Sequence, residues 1–168
     1  MSISYLFPDD TVLFGQNIPP EIDLLLQQAV KAYDNTEESE RLLWQAQQMK
    51  PEQLEVYIAL YKFYFYKYRL DEARRVAELS LAMCAKVGGF DADWTHLTID
   101  SANWSNPEGA ERVYLYTLKA LSFIRLRQLR FADADQVLTK LQELDPLDQV
   151  GSSVLRDVAS SFEEEVND

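Results

Sequence analysis

The sequence predicts an all-α protein built as a stack of three helix-turn-helix pairs closed by a C-terminal capping helix. Ser39 and Ala73 are small residues 34 positions apart, each opening the second helical ridge of a pair. A fixed period of that length is the signature of stacked helix pairs. A third segment, from residues 129–134 to Pro146, repeats the order of small residue, apolar ridge and closing proline that Ser39 and Pro51 set out.

Residues 1–19 read as an N-terminal arm. Its apolar clusters, Tyr5-Leu6-Phe7 and Val12-Leu13-Phe14, are separated by Pro8, Asp9 and Asp10 and closed by Pro19 and Pro20. Pro20 suits a first helical position, and Ile22, Leu25, Leu26, Ala29, Val30 and Tyr33 then recur at helical spacing until Asp34 and Asn35 break the pattern. A second helix over residues 37–49, with Leu42, Leu43 and Ala46 on one side, completes the first pair, 20–51. The second pair, 53–86, divides into helices over 53–68 and 71–86. Tyr57, Leu60, Tyr61 and Tyr64 form its inner ridge, and Gly88-Gly89 supplies the positive φ that ends a helix at low cost.

Residues 87–111 form a polar insertion that holds Trp94 and Trp104. Unstructured loops of this length are uncommon, so the tryptophans are expected to pin it to the body, with a helical turn at 94–97. The third pair, 112–146, divides into helices over 112–127 and 130–144. Residues 147–168 form the capping helix and tail: Val150, Val154, Leu155, Val158 and Phe162 make one apolar stripe, and Glu163, Glu164 and Glu165 a polar end.

Composition narrows the function. With 28 acidic and 16 basic residues the chain carries −12, which repels nucleic acid and anionic membrane surfaces. Neither is expected as a partner. Lys62, Lys67 and Arg69 interrupt the most apolar region, leaving no run of about 18 apolar residues to span a membrane. Cys84 is the single cysteine, excluding an internal disulfide, and the first residues lack a signal peptide's basic and apolar regions, so a cytoplasmic setting is expected. His96 is the single histidine. One histidine and one cysteine give little support to a Cys-His pair or a multi-histidine metal site. Asp91, Asp93 and Asp100 lack the spacing of a calcium loop, and no glycine-rich phosphate loop occurs. No catalytic residue, metal or cofactor is expected.

The spacing resembles the tetratricopeptide repeat. In the first copy Ser39, Leu43, Ala46 and Pro51 match its pattern; in the second Tyr57, Leu60, Tyr64 and Ala73; in the third Leu118, Leu121, Ser122, Ala134, Leu138 and Pro146. The resemblance covers residues 20–146 apart from the insertion. Tyr61 and Arg125 depart from it, standing where a small and an aromatic residue are usual, and no glycine opens a second helix. The resemblance implies a right-handed superhelix and a non-enzymatic adaptor or small chaperone that holds a peptide in a concave groove. Register with the family places Leu24, Gln28 and Lys31 of the first pair in that groove, with Ile58, Lys62, Phe65 and Tyr66 of the second and Tyr116, Lys119, Phe123, Leu126 and Arg127 of the third. The positions that grip a terminal carboxylate in one subclass hold Leu24, Gln28, Ala59, Tyr116 and Ala120, so that clamp is absent.

Two windows, residues 56–70 and 112–132, contain eight bases and no acid. If both line the groove, the expected partner is an acidic protein or peptide segment with apolar anchors. Alternatively, the bases are solvated or pair with Asp71, Glu72, Asp133 and Asp135. Seven aromatics between Tyr57 and Tyr68 cover every face of a helix, so Phe63, Phe65 or Tyr66 needs a cover beyond the pair itself. The arm is expected to supply it, within one chain or across a homodimer. Other readings are a secretion-type chaperone, an accessory protein of a bacterial pathway such as nitrogen fixation, suggested by residues 60–73, and, in a different class, an enzyme.

Overall fold

The computed structural model describes residues 18–167, and their regular elements are seven α-helices and one short 3₁₀ turn. The helices are α1 (Pro20–Lys31), α2 (Thr36–Met49), α3 (Leu54–Tyr66), α4 (Leu70–Gly88), α5 (Gly109–Arg127), α6 (Phe131–Leu144) and α7 (Ser153–Asn167). The 3₁₀ turn, Trp94–His96, lies in the insertion, where a helical turn is expected. Most of the arm lies outside the described residues. So do the side chains of residues 162, 163, 166 and 167 on the final helix.

Each helix packs on its neighbours in sequence, and α5 also reaches α3 and α7. Short turns join α1 to α2, α2 to α3, α3 to α4 and α5 to α6, which sets those neighbours antiparallel. Pro20 does stand at the first position of α1, and the Asn35 side chain accepts from the Glu38 amide to cap α2. Helix α4 ends at Gly89 in the left-handed conformation, φ 75°, where the Gly88-Gly89 pair predicts its end. The core is continuous from Ile22 on α1 to Leu155 on α7. Ser39, Ala73 and Ala134, the small residues that define the spacing, are all buried, and Ser39 Oγ donates to the Ala29 carbonyl at 2.8 Å to join α2 to α1.

The α3–α4 and α5–α6 turns are the same structure. Tyr68 and Leu129 hold φ of 60° and 61°. Arg69 N donates to Tyr64 O at 2.9 Å, as Arg130 N does to Arg125 O at 2.8 Å. Tyr68 N donates to Phe65 O and Leu129 N to Leu126 O, both at 3.0 Å. This is the Schellman arrangement with a tyrosine and a leucine where glycine is usual. A side chain in the left-handed region is strained by roughly 1–2 kcal/mol. Replacing Leu129, 59% exposed, with glycine is therefore expected to raise stability by about 1 kcal/mol, less whatever the freer unfolded chain takes back. An unchanged urea midpoint would show that the turn relaxes around leucine.

Two boundaries differ from expectation. Helix α5 begins at Gly109, before residue 112. Helix α7 begins at Ser153, not near 147, because aspartates capture the preceding amides: the Asp145 carboxylate accepts from Gln149 N at 2.9 Å and Val150 N at 3.0 Å. Asp148, at φ 56°, accepts from Ser153 N at 3.1 Å. Such side-chain bonds compete with helix. Val150 consequently lies before the helix, and Val154, expected on the buried stripe, is 40% exposed while Leu155 is fully buried.

The insertion is held as its tryptophans suggest. Trp104 is buried against Phe90 and Tyr114, ring centroids 5.2 and 5.8 Å away, and its Nε1 donates to the Thr98 carbonyl at 2.9 Å. Trp94 is half-buried against the core, and Lys140 Nζ on α6 donates to the Leu97 carbonyl at 2.6 Å.

Candidate functional site

An open apolar groove of about 490 Å³ runs between α1 and α3, floored by α2. On α1, Asp23, Leu26, Gln27 and Val30 face it at helical spacing, continued by Tyr33 in the turn that follows. Ser39 and Leu43 of α2 form part of the floor, and Ala59, Lys62, Phe63 and Tyr66 of α3 form the opposite wall. Three large groove side chains remain open to solvent: Val30 at 75%, Tyr66 at 39% and Tyr33 at 37%. Lys67 holds Tyr33 in place: its Nζ donates to the Tyr33 carbonyl at 2.9 Å and stands 3.8 Å from the Tyr33 ring centroid. Asp23 and Lys62 supply one charge of each sign. Asp23 accepts from Gln27 Nε2 at 2.7 Å.

Behind α3, a polar network ties the first two helix pairs together. Trp44 Nε1 on α2 donates to Tyr64 Oη at 2.7 Å, and that hydroxyl donates to Glu40 Oε1 at 3.0 Å. Arg69 bonds Glu40 at 2.5 Å, pairs with Glu72 and stacks 4.8 Å from the Tyr64 ring. Hydrogen bonding from Arg69 holds the Glu40 carboxyl below its usual range. Burial first, then the Glu40 carboxylate, pushes the Tyr64 hydroxyl up to about 12. Trp44, the residue that completes this network, has no role in the repeat pattern. Its position in a polar stretch of α2 is its only sequence signal.

The twelve positions chosen by register are dispersed. Lys62 and Tyr66 line the groove. Leu24, Gln28 and Lys31 are exposed on a neighbouring stripe of α1, one residue out of phase with the groove face. Ile58, Phe65, Phe123 and Leu126 are buried in the core, where the Phe65 and Phe123 rings meet at 5.0 Å between α3 and α5. Tyr116 and Arg127 are half-buried, the Arg127 guanidinium 5.5 Å from the Phe123 ring. Lys119, expected as a groove cation, is buried to 6% exposure and donates to the Val150 carbonyl at 2.8 Å. Burial lowers its pKa, which Asp148 partly opposes. The need for a cover over the aromatic helix is met in part by Phe123 on Phe65 and by Tyr33, edge-on to Phe63 at 6.2 Å.

Cys84 is buried on α4 and its thiol is pushed up to about 12 by desolvation. His96 is exposed in the insertion, its Nδ1 3.2 Å from Asp91 and its Nε2 3.6 Å from Asp93. Among the described residues no cluster of three or more His, Cys, Asp or Glu is arranged to hold a metal ion, and no helix is long and apolar enough to cross a membrane.

The chain is similar to an uncharacterized 19.8 kDa protein in the nifW 5′ region of Azotobacter chroococcum mcd 1. Identity is 26% over 162 residues, spanning 95% of this chain and 90% of that protein. No family model matches the sequence, and no solved structure matches it.

Proposed function

We propose that the protein is a tetratricopeptide-like adaptor or small chaperone that holds a segment of a partner protein in the groove between α1 and α3. The open apolar groove carries this reading: Val30, Tyr33 and Tyr66 present surface that a partner's apolar side chains can cover, between the single charges of Asp23 and Lys62. The matching backbone geometry of the α3–α4 and α5–α6 turns supports the repeat relation between their helix pairs. No cofactor takes part.

The relative's position in the nifW 5′ region favours a second statement about process. On this reading the protein serves nitrogen fixation as an accessory factor, and its partner is a protein of that pathway.

The test is capture of a partner from cell extract, its identification by mass spectrometry, and reconstitution from purified components. Val30→Asp and Ala59→Asp place charge in the groove and are expected to weaken the reconstituted complex at least about tenfold, the equivalent of about 1.4 kcal/mol. Leu79→Asp, on an exposed part of α4, is expected to leave it unchanged. Equal binding by all three variants would move the interface elsewhere.

A further inference from the structure

We infer that a second site, the cleft where the start of α4 meets the α5–α6 turn, binds the phosphoryl group of a small phosphate compound. The cleft holds about 670 Å³, and its lining contributes three guanidinium groups, Arg74, Arg125 and Arg130, against one carboxylate, Asp71. In a chain of net charge −12 the lining itself is rich in bases, although Glu78 and Asp133 at its edge offset two of them. The two acid-free windows of the sequence meet here, Tyr68 and Leu70 coming from the first and Arg125, Gln128 and Arg130 from the second. The inference does not depend on the α1–α3 groove, which shares none of these residues.

Each guanidinium uses one nitrogen on a protein partner. Arg74 Nη1 lies 3.1 Å from both Glu78 oxygens, Arg125 Nη1 lies 3.2 Å from Gln128 Oε1, and Arg130 Nη2 lies 2.8 Å from the Asp133 carboxylate. A guanidinium carries five N–H donors in a planar fork, so these contacts orient the three groups and leave donors for a ligand. Gln128 Nε2 donates to Asp71 Oδ1 at 2.9 Å, fixing the single acid of the lining and joining the two walls. A ligand carboxylate carries no more charge than the resident Glu78 and Asp133, so it has little advantage over them. A phosphoryl dianion has twice the charge and three acceptor oxygens for the remaining guanidinium donors.

The test is calorimetric titration of the full chain with inorganic pyrophosphate at low ionic strength, with ADP in a parallel arm. Saturable one-to-one binding is expected, weakened about tenfold or more by Arg125→Gln and by Arg130→Gln, since each removes a charge-assisted contact. Arg41→Gln, at a distant exposed pair with Glu38, is expected to change nothing. Tighter binding of ADP than of pyrophosphate would assign the group to a nucleotide, and equal or weaker binding to a free phosphate. Circular dichroism establishes folding, and Arg130, with a side chain 61% exposed, carries the comparison if Arg125→Gln is unstable. Absence of saturable heat, unchanged affinity in Arg130→Gln, or an equal loss in Arg41→Gln would each overturn the inference.

Discussion

Replacing Trp104 with alanine is expected to destabilise the protein by about 3–5 kcal/mol, the usual cost of deleting a large buried aromatic side chain. Three losses combine. The indole fills the space between Phe90 and Tyr114, its Nε1 satisfies the Thr98 carbonyl, and its 3% exposure shows that little of its surface faces water. Because the insertion returns to α5 through this residue, its release should also open residues 91–103 to limited proteolysis. A shift below about 1 kcal/mol with no new cleavage would mean that Leu97 and the Lys140 bond to its carbonyl are sufficient anchors.

Lys119→Ala is expected to cost about 2–4 kcal/mol, combining the charge-assisted bond to Val150 O with the packing of the buried aliphatic stem. Urea denaturation measures the loss. Lys119→Met keeps the stem, removes the charge and should lose less. The variants also differ in their response to pH. The folded-state pKa of Lys119 is lowered, so between that value and the ordinary lysine value the folded protein binds fewer protons than the unfolded chain. Stability from this group therefore rises with pH through that window, a rise that Lys119→Met lacks. Identical pH profiles would show that the amine is solvated, as the groove assignment requires.

Helices and several of their ends are the readable part of the sequence, because these are fixed by neighbours within a few residues. Pro20 starts α1, Gly89 supplies the left-handed stop of α4, and Ile22, Leu25, Leu26 and Ala29 mark one buried stripe. The groove was harder to read for a physical reason. Nine of the 13 residues of α3 are buried, so its apolar pattern has no phase from which to choose an outward face. Phe65 and Ile58 then look as suitable for a groove as Ala59 and Phe63. On α1 the family register and the groove face differ by one residue, apolar Leu24 standing 55% exposed outside the groove lining. Lys119 misled because charge predicts solvation, and its acceptor is a backbone carbonyl 31 positions away. Where α7 begins depends on Asp145 and Asp148 side chains turning back on the backbone, a choice that helical periodicity does not encode.

The unequal embedding of the helices has a consequence for motion. Helix α5 has 13 of 19 residues buried and is packed by α3, α4, α6 and α7, whereas among the described residues α1 has its main interface with α2, and α2 meets α3 through a smaller one. Amide hydrogens in the middle of α5 should exchange with solvent only when the whole molecule unfolds, while those of α1 and α2 exchange through a cheaper local opening. The apolar groove lies on the more easily opened side. Its width can therefore change by movement of the first helix pair while the rest of the fold stays closed.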